Sequence, residues 1–358
     1  MMVKPKQPDT GDVLDAAQLP RVTVRDIARE AGVSIATVSR AISNNPTIAQ
    51  QTRERVLKIA LDMGYSPNLF ARGLITKRSG IVAVFVNNIT NPFYPEVVVK
   101  LTRRLQDLNL HTLLFTSDDG EEMERVLPTL RQLNPDLVVI LAATVTSGAL
   151  RTFKDSRTPV ILFNRYVKGV ATSSVCCDNY QGGRMVALEL AKAGHRHLSF
   201  IEGLAMASTS SDRRDGFLAG AAEAGLAAPL ICADGDFSYE TGHAGLKWLF
   251  EKGQPIDAVL CANDIVAIGA MDAAKGDLGL TIPRDLSIVG FDDIAMAAWP
   301  SIDLTTVRQP MNAMIDCVGD EISRILKSSA SESQMHFLPG RLILRGSARL
   351  NDNQALGS

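Results

Sequence analysis

The stretch Val22–Arg40, VTVRDIAREAGVSIATVSR, spells two short helices around a single glycine, and no other feature narrows the possible folds as far. Thr23 followed three residues later by Asp26 resembles a capping box, and Ile27, Ala28 and Ala31 supply an apolar face at helical spacing. Gly32 can take the positive φ that ends this helix, Val33 tucks into a small core, and Ser34 can cap a second helix running through Val38 to about Ile42. Ile35 and Ala36 then lie at the N-terminal end of the second helix, facing outward. Two helices so joined make a helix-turn-helix, whose first exposed positions reach base edges in the major groove. Arg40, one turn further on, is placed to form a bidentate pair with a guanine. Taken alone, the segment also fits an ordinary helical hairpin inside an α/β domain.

A third helix follows, with Val56, Ile59, Ala60 and Met63 at helical spacing, closing a three-helix core before Gly64 stops it and Pro67 bars continuation. Ala49 precedes it and carries no capping oxygen, a deficit of about 1 kcal/mol unless Thr47 substitutes. From VTVRDIAREAGVSIATVSRAISN through TRERVLKIALDMGYSPN to ARGL at Ala71–Leu74, the chain resembles the lactose-repressor (LacI/GalR) family of bacterial transcription factors. The resemblance implies DNA contacts from Thr23, Ser34, Ile35, Ala36, Thr37, Ser39, Arg40, Asn44, Asn68 and Leu74. It also implies that residues 68–79 form a hinge that becomes helical when two copies meet on DNA, each pushing Leu74 into the minor groove. The physics agrees, since Gly73 costs about 1 kcal/mol of helix propensity and so short a piece cannot sustain its own nucleation. An inserted apolar wedge favours an easily deformed pyrimidine–purine step at the operator centre. A plain linker residue is the alternative for Leu74.

Charge is distributed accordingly. Residues 21–80 hold ten Lys/Arg against four acids, a net +6, whereas the whole chain is −2 and residues 81–358 hold −7. A basic module on an acidic body suits phosphate neutralisation and implies DNA binding that weakens steeply with salt. Residues 1–20 contain no apolar run long enough for a secretion signal or membrane span and read as a disordered tail. No later segment reaches about 18 uninterrupted apolar residues, so a soluble protein without a membrane partner is expected. The five cysteines, Cys176, Cys177, Cys232, Cys261 and Cys317, lack C-x-x-C or zinc spacing, which fits a reducing cytoplasm. Adjacent Cys176 and Cys177 read as small strand residues, with a redox sensor as the alternative. His195 and His197 lack the further ligands a metal site needs, and no metal or cofactor is expected.

From Gly80 the pattern changes to β-forming runs at Ile81–Val86, Thr112–Phe115, Leu137–Leu141 and Val160–Phe163, alternating with helical segments such as Glu96–Leu108 and Glu121–Leu133. A second series, Leu198–Ile201, Leu230–Cys232, Ala258–Cys261 and Ile288–Phe291, repeats the alternation. Such alternation marks parallel sheets, and two series imply two similar α/β halves. The fold class is thus an all-α helix-turn-helix DNA-binding module plus an α/β core. The resemblance, extending to about Leu350, identifies that core as periplasmic-binding-protein-like, with two Rossmann-like subdomains and three chain crossings. The expected division is a tail at 1–20, the DNA-binding domain at 21–67, the hinge at 68–79, and an effector-binding and dimerisation core at 80–350, with a tail at 351–358. Within the core the first subdomain takes about 80–178 and 307–338, and the second about 179–306 and 339–350.

Ligands of open α/β sheets sit beyond the carboxyl ends of the strands, so the cleft between the halves is the candidate effector site. NNITNPFY, Asn87–Tyr94, matches the family's NPF segment, which implies that Phe93 and Tyr94 border that cleft. Asn164 precedes Arg165 where many relatives have Asp-Arg, so an ionic acceptor is missing. By the same resemblance Arg213 in DRRDGF, Phe237 in GDFSYETG, Asn263 in CAND and Asp292 in GFDD contact the effector. Convergent charged groups at strand ends imply something polar between them. The local alternative is that CAND and GFDD only shape turns and cap helices.

An enzyme is the natural rival, but G-x-S-x-G, Walker, H-E-x-x-H and post-strand G-x-G-x-x-G motifs do not occur, nor does a Cys/His arrangement with a credible base. A secreted-type solute-binding protein would share the core but has no use for Val22–Arg40. A nucleoid-type structural binder leaves the cleft without a purpose. The sequence therefore reads as a homodimeric transcription regulator, a repressor, that binds a pseudo-palindromic double-stranded operator. A small polar effector, a sugar or sugar derivative with a purine as the alternative, would control it as inducer or corepressor. RGSARLNDNQALGS at the C-terminus has no leucine heptads, which sets a dimer as the expected limit.

Overall fold

The computed structural model describes residues 22–43, 45–65, 78–87, 89–117, 122–141, 150, 153, 158–327 and 332–350. The expected tails, most of the hinge with Asn68 and Leu74, and Asn44 lie outside them. The chain divides into two compact units, Met1–Ser79 and Gly80–Ser358.

In the first unit, α1 spans Val24–Ala31, α2 Ile35–Ile42 and α3 Gln50–Asp62. The Asp26 carboxylate starts α1 by accepting from both the amide (3.0 Å) and the hydroxyl (2.7 Å) of Thr23. These bonds hold its pKa below the ordinary carboxylate value. Gly32 ends α1 at φ 62°, a left-handed conformation glycine adopts without a Cβ clash. Ser34 Oγ then accepts from the Thr37 amide (3.1 Å) to cap α2. Ile27, Ala28 and Ala31 from α1 pack with Val38 and Ala41 from α2 and Val56 and Ala60 from α3. Thr47 does not replace the missing cap of α3, because its hydroxyl donates to Asn45 Oδ1 (2.8 Å) and Ala49 starts the helix without a side-chain bond.

The second unit contains two six-stranded sheets. The first is built from β1 (Ile81–Asn87), β2 (His111–Ser117), β3 (Leu137–Leu141), β4 (Val160–Phe163) and β5 (Ser173–Cys177), with β11 (Met335–Leu338). The second takes β6 (Leu198–Ile201), β7 (Leu230–Cys232), β8 (Ala258–Cys261), β9 (Ser287–Asp292) and β10 (Thr305–Arg308), with β12 (Arg341–Ile343). Their orders are β11-β5-β4-β3-β1-β2 and β12-β10-β9-β8-β6-β7. Every pairing is parallel except that of β12 with β10. Central strands such as β1 and β3 are buried along their whole length, as covering by helices on both faces demands. The helices are α4 (Phe93–Asp107), α5 (Glu122–Leu133), α6 (Asn179–Lys192), α7 (Ser208–Glu223), α8 (Tyr239–Glu251), α9 (Asp264–Gly276) and α10 (Met311–Lys327).

The strand assignments place three crossings between the halves: after Cys177, between Arg308 and Met311, and between Leu338 and Arg341. The expected boundary between residues 306 and 307 is corrected by this arrangement, since it cuts β10, whose four residues pair with β9 in one register. No described helix is long and apolar enough to cross a membrane.

Helix α4 begins three residues earlier than the apolar spacing indicates. Asn91 Oδ1 accepts from the Phe93 amide (3.1 Å), so Phe93 and Tyr94 form its first turn rather than a loop. Helices α6 and α7 pack closely because Gly183 lies against the backbone of Arg213, where an added Cβ would collide with the Arg213 carbonyl oxygen. That contact fixes the depth at which the Arg213 side chain enters the core.

Candidate functional site

The outer face of α2 carries one set of sequence-selected residues. Ser34, Ile35, Ala36 and Arg40 are exposed, Thr37 and Ser39 half-exposed, and Thr23 is exposed at the start of α1. Ile35 leaves half of its surface in solvent (49%). An apolar residue and an arginine on one face of a capped helix suit base edges: Ile35 and Ala36 for apolar contact, Arg40 for paired donors. Ser34 and Thr23 already use their hydroxyls locally, Thr23 on Asp26 and Ser34 on the Thr37 amide and hydroxyl.

The second set converges between the two sheets. Asn91 and Tyr94 arrive after β1, Asn164 and Arg165 after β4, Thr209 and Arg213 on α7, Phe237 after β7, Asn263 after β8 and Asp292 at the end of β9. They line a narrow recess open to solvent, about 280 Å³ with its mouth included. Arg213, only 2% exposed, donates to Asn179 Oδ1 (2.8 Å), the Ala262 carbonyl (2.5 Å) and Asp292 Oδ1 (3.4 Å), and its guanidinium lies 3.7 Å from the Phe291 ring centre. Gln309 Nε2 donates to the same Asp292 oxygen at 2.7 Å. Burial pushes the Asp292 carboxyl up to about 6, against the opposing pull of Arg213 and Gln309. Asp264, buried next to it, is pushed up to about 7 by burial and then by Asp292.

The backbone is strained at this place. Asn164, Phe237 and Asp292 have φ of 61°, 69° and 131°. Positive φ is tolerable for Asn and Asp but a true outlier for phenylalanine. Strain of this kind, about 1–3 kcal/mol per residue, persists where the surroundings over-determine the geometry, and it clusters at ligand sites.

Residues after β4 also tie the halves together at the cleft rim. The Tyr166 hydroxyl lies 2.9 and 3.0 Å from the two Asp212 oxygens, its amide donates to Ser208 Oγ (3.1 Å), and Arg165 sits 5.6 Å from the Phe237 ring centre.

This geometry, a read-out helix in one unit and a polar strand-end cleft in the other, agrees with the comparisons to known proteins. A profile described as "Bacterial regulatory proteins, lacI family" matches residues 23–68, and one described as "Periplasmic binding protein-like domain" matches residues 187–348. The HTH-type transcriptional regulator GalS of Salmonella typhimurium is 30% identical over 337 residues, covering 94% of this chain and 99% of the relative. The chain belongs to the lacI family.

As a lacI-family member it is a transcriptional regulator. A solved structure of the transcriptional regulator CelR with cellobiose superposes with a TM-score of 0.71 at 27% identity, covering 92% of this chain and all of that one. The lac repressor dimer bound to operator and the anti-inducer ONPF shares the fold with a TM-score of 0.81 at 22% identity, covering 92% and 99%.

Of the sequence-selected effector residues, Tyr94, Asn164, Arg213, Phe237, Asn263 and Asp292 meet at the cleft of this lacI-family core, and Phe93 does not. Phe93 is buried behind Tyr94, ring edge to ring face at 5.3 Å, as adjacent helical positions pointing about 100° apart require. Asn263 serves two purposes, capping α9 through the Val266 amide (2.8 Å) while lining the cleft. Asn91, Arg165 and Thr209 line it too and escaped selection from sequence. Thr209 was within reach, because it lies four residues before Arg213 on the same helix face. His195 is a core residue: Nε2 lies 3.2 Å from both Ser287 Oγ and the Arg349 carbonyl. Among the described residues no cluster of three His, Cys, Asp or Glu side chains is placed to hold a metal.

Proposed function

We propose that this regulator is a repressor that binds a pseudo-palindromic double-stranded operator as a homodimer and is released or engaged by a small polar effector. The observation that carries the reading is the Arg213–Asp292 pair, a buried charge pair opening on a strained strand-end cleft within the same chain as an exposed recognition helix. In this reading residues 21–67 bind DNA and 68–79 form the hinge. Ile35, Ala36 and Arg40 read bases, while Thr23, Ser34, Thr37, Ser39, Asn44 and Asn68 position the module and Leu74 enters the minor groove. Residues 80–350 dimerise and bind effector through Tyr94, Asn164, Arg213, Phe237, Asn263 and Asp292, with Phe93 supporting Tyr94 from behind. A carbohydrate-type effector is supported by the cellobiose complex of CelR. Control follows from population shift: an effector that bridges the halves favours one arrangement of them, and the Tyr166–Asp212 contact at the rim is made or broken with it.

The test is direct. Purified protein is used to select sequences from a random duplex pool, and the selected duplex is then titrated with and without compounds that raise the melting temperature of the protein. Enrichment of an inverted repeat whose affinity changes with a stabilising compound is expected. Absence of sequence enrichment refutes the proposal.

A further inference from the structure

Among the described residues, a second cation in the cleft has no charge to answer it. This inference rests on the proposal that the cleft is the effector site and concerns what kind of effector it takes. Three of the nine lining residues are ionisable at neutral pH with a fixed sign: Arg165, Arg213 and Asp292. Arg213 and Asp292 answer each other, and the remaining Arg213 donors go to Asn179 and Ala262. Arg165 stands apart. Among the described residues it forms no ion pair, and its Nε is shut away from solvent without an acceptor. The contact its guanidinium does make is with the face of Phe237, 5.6 Å from the ring centre.

A half-buried guanidinium cannot relieve this by losing a proton, because arginine keeps its charge in proteins. Position 164 gives no help, since a neutral asparagine stands beside it. The start of α7 adds to the same imbalance. Thr209, in its first turn, lines the cleft, and the N-cap residue, Ala207, offers the first-turn amides no side-chain oxygen. A helix N-terminus of that kind favours negative charge. The rest of the lining is of different character, since Asn91, Asn263 and Asp292 add polar side chains of the kind that bond hydroxyls.

We infer that Arg165 is the specificity-determining cation of the cleft and that the effector is a small polyhydroxy compound carrying an anionic group, a carboxylate or a phosphate, that pairs with it. Its planar donor fork matches both groups in a paired geometry. Phe237, under the guanidinium, orients that fork and excludes water from one side. The neutral sugar with the same hydroxyl pattern leaves Arg165 unanswered and binds more weakly.

The experiment uses the full chain in thermal denaturation at fixed ionic strength. Neutral hexoses and pentoses are each compared with their uronic or aldonic acid and their sugar phosphate, with acetate and inorganic phosphate as minimal probes. An acid or phosphate member should half-saturate at a concentration at least tenfold below that of its neutral parent. Arg165→Gln should erase that advantage and Arg165→Lys retain part of it, circular dichroism confirming that both variants fold. A preference for acids assigns the carboxylate, and one for phosphates assigns the phosphate. A neutral sugar that stabilises the protein as well as its charged partners overturns the inference, as does an advantage that survives in Arg165→Gln. If that neutral sugar also loses its effect in Arg213→Ala, the effector cleft stands and the anionic class alone fails. If no compound or minimal anion shifts the melting temperature, both fail.

Discussion

Arg213→Ala tests the energetics of the cleft most sharply. The wild-type side chain is 2% exposed, and its removal strips Asp292 of its ionic partner, leaving Gln309 as its remaining side-chain donor. It also leaves Asn179 Oδ1 and the Ala262 carbonyl without the donor they share, and removes the cation from the Phe291 face. Breaking a buried pair by deleting one partner costs about 3–5 kcal/mol, because the surviving charge stays desolvated. Asp292 has a way to reduce that cost. Its carboxyl already sits near 6 with Arg213 pulling it down, so without Arg213 it rises further and takes a proton at neutral pH.

The sign of the pH dependence follows. Above about 6 the wild-type native state holds Asp292 ionised, whereas the variant native state still binds a proton that its unfolded state has released. The variant therefore loses stability, relative to wild type, as pH rises from about 6 towards its own higher value, by up to about 1.4 kcal/mol per pH unit. Urea denaturation at pH 6 and pH 8 should show a penalty larger at pH 8 by about 1–3 kcal/mol. In an Asp292→Asn background the same arginine deletion should cost less, with a coupling of at least about 1 kcal/mol. An equal penalty at both pH values, or additivity in the double mutant, would falsify the account of a pair held in low dielectric.

Other expectations concern the DNA-binding unit. Arg40→Ala should relax the preference at one base position per half-site by about 1–3 kcal/mol, read from affinities for single-substituted duplexes; an unchanged preference removes Arg40 from the reading face. Leu74→Ala should weaken specific binding far more than non-specific binding, and equal loss of both counts against a minor-groove wedge. Ala49→Ser should stabilise the three-helix unit by about 0.5–1 kcal/mol, because α3 lacks a side-chain cap and Thr47 is committed to Asn45. No gain in melting temperature for that unit would show that the first-turn amides are satisfied by water.

The parts of the fold legible in the sequence were those that form unbroken apolar runs. Ile81–Val86 and Leu137–Leu141 are unbroken apolar runs because helices cover both faces of the sheet, and no other element accommodates such short runs as readily. β5, β10, β11 and β12 are absent from the expected runs, because segments such as Ser173–Cys177, Thr305–Arg308 and Arg341–Ile343 are too short or too polar to stand out as apolar runs. Met335–Leu338 alternates between exposed and half-buried positions, and three residues at Arg341–Ile343 carry no period at all. Their register comes from neighbours more than 160 residues away in the case of β11 and β5, information no local window contains. Phe93 was misassigned for a related reason: the NPF segment announces two aromatics but not that a helix begins at the first of them.

Phe237 shows why part of the cleft lay beyond sequence patterns. Most other positive-φ residues that are not glycine are Asn or Asp at turns, such as Asn109, Asn134 and Asp303, where the side chain favours that conformation. Phenylalanine gains nothing of the kind, so its conformation must be imposed from outside. Two contacts impose it. The Asn263 side chain donates to the Phe237 carbonyl (3.4 Å), and the ring occupies the space that a Cβ on Gly203 would need. Gly203 thus shapes the cleft without lining it. The residue that most governs where the aromatic face points is one with no side chain, two residues beyond the end of β6, and its role exists only once β6, β7 and β8 of the second sheet are assembled.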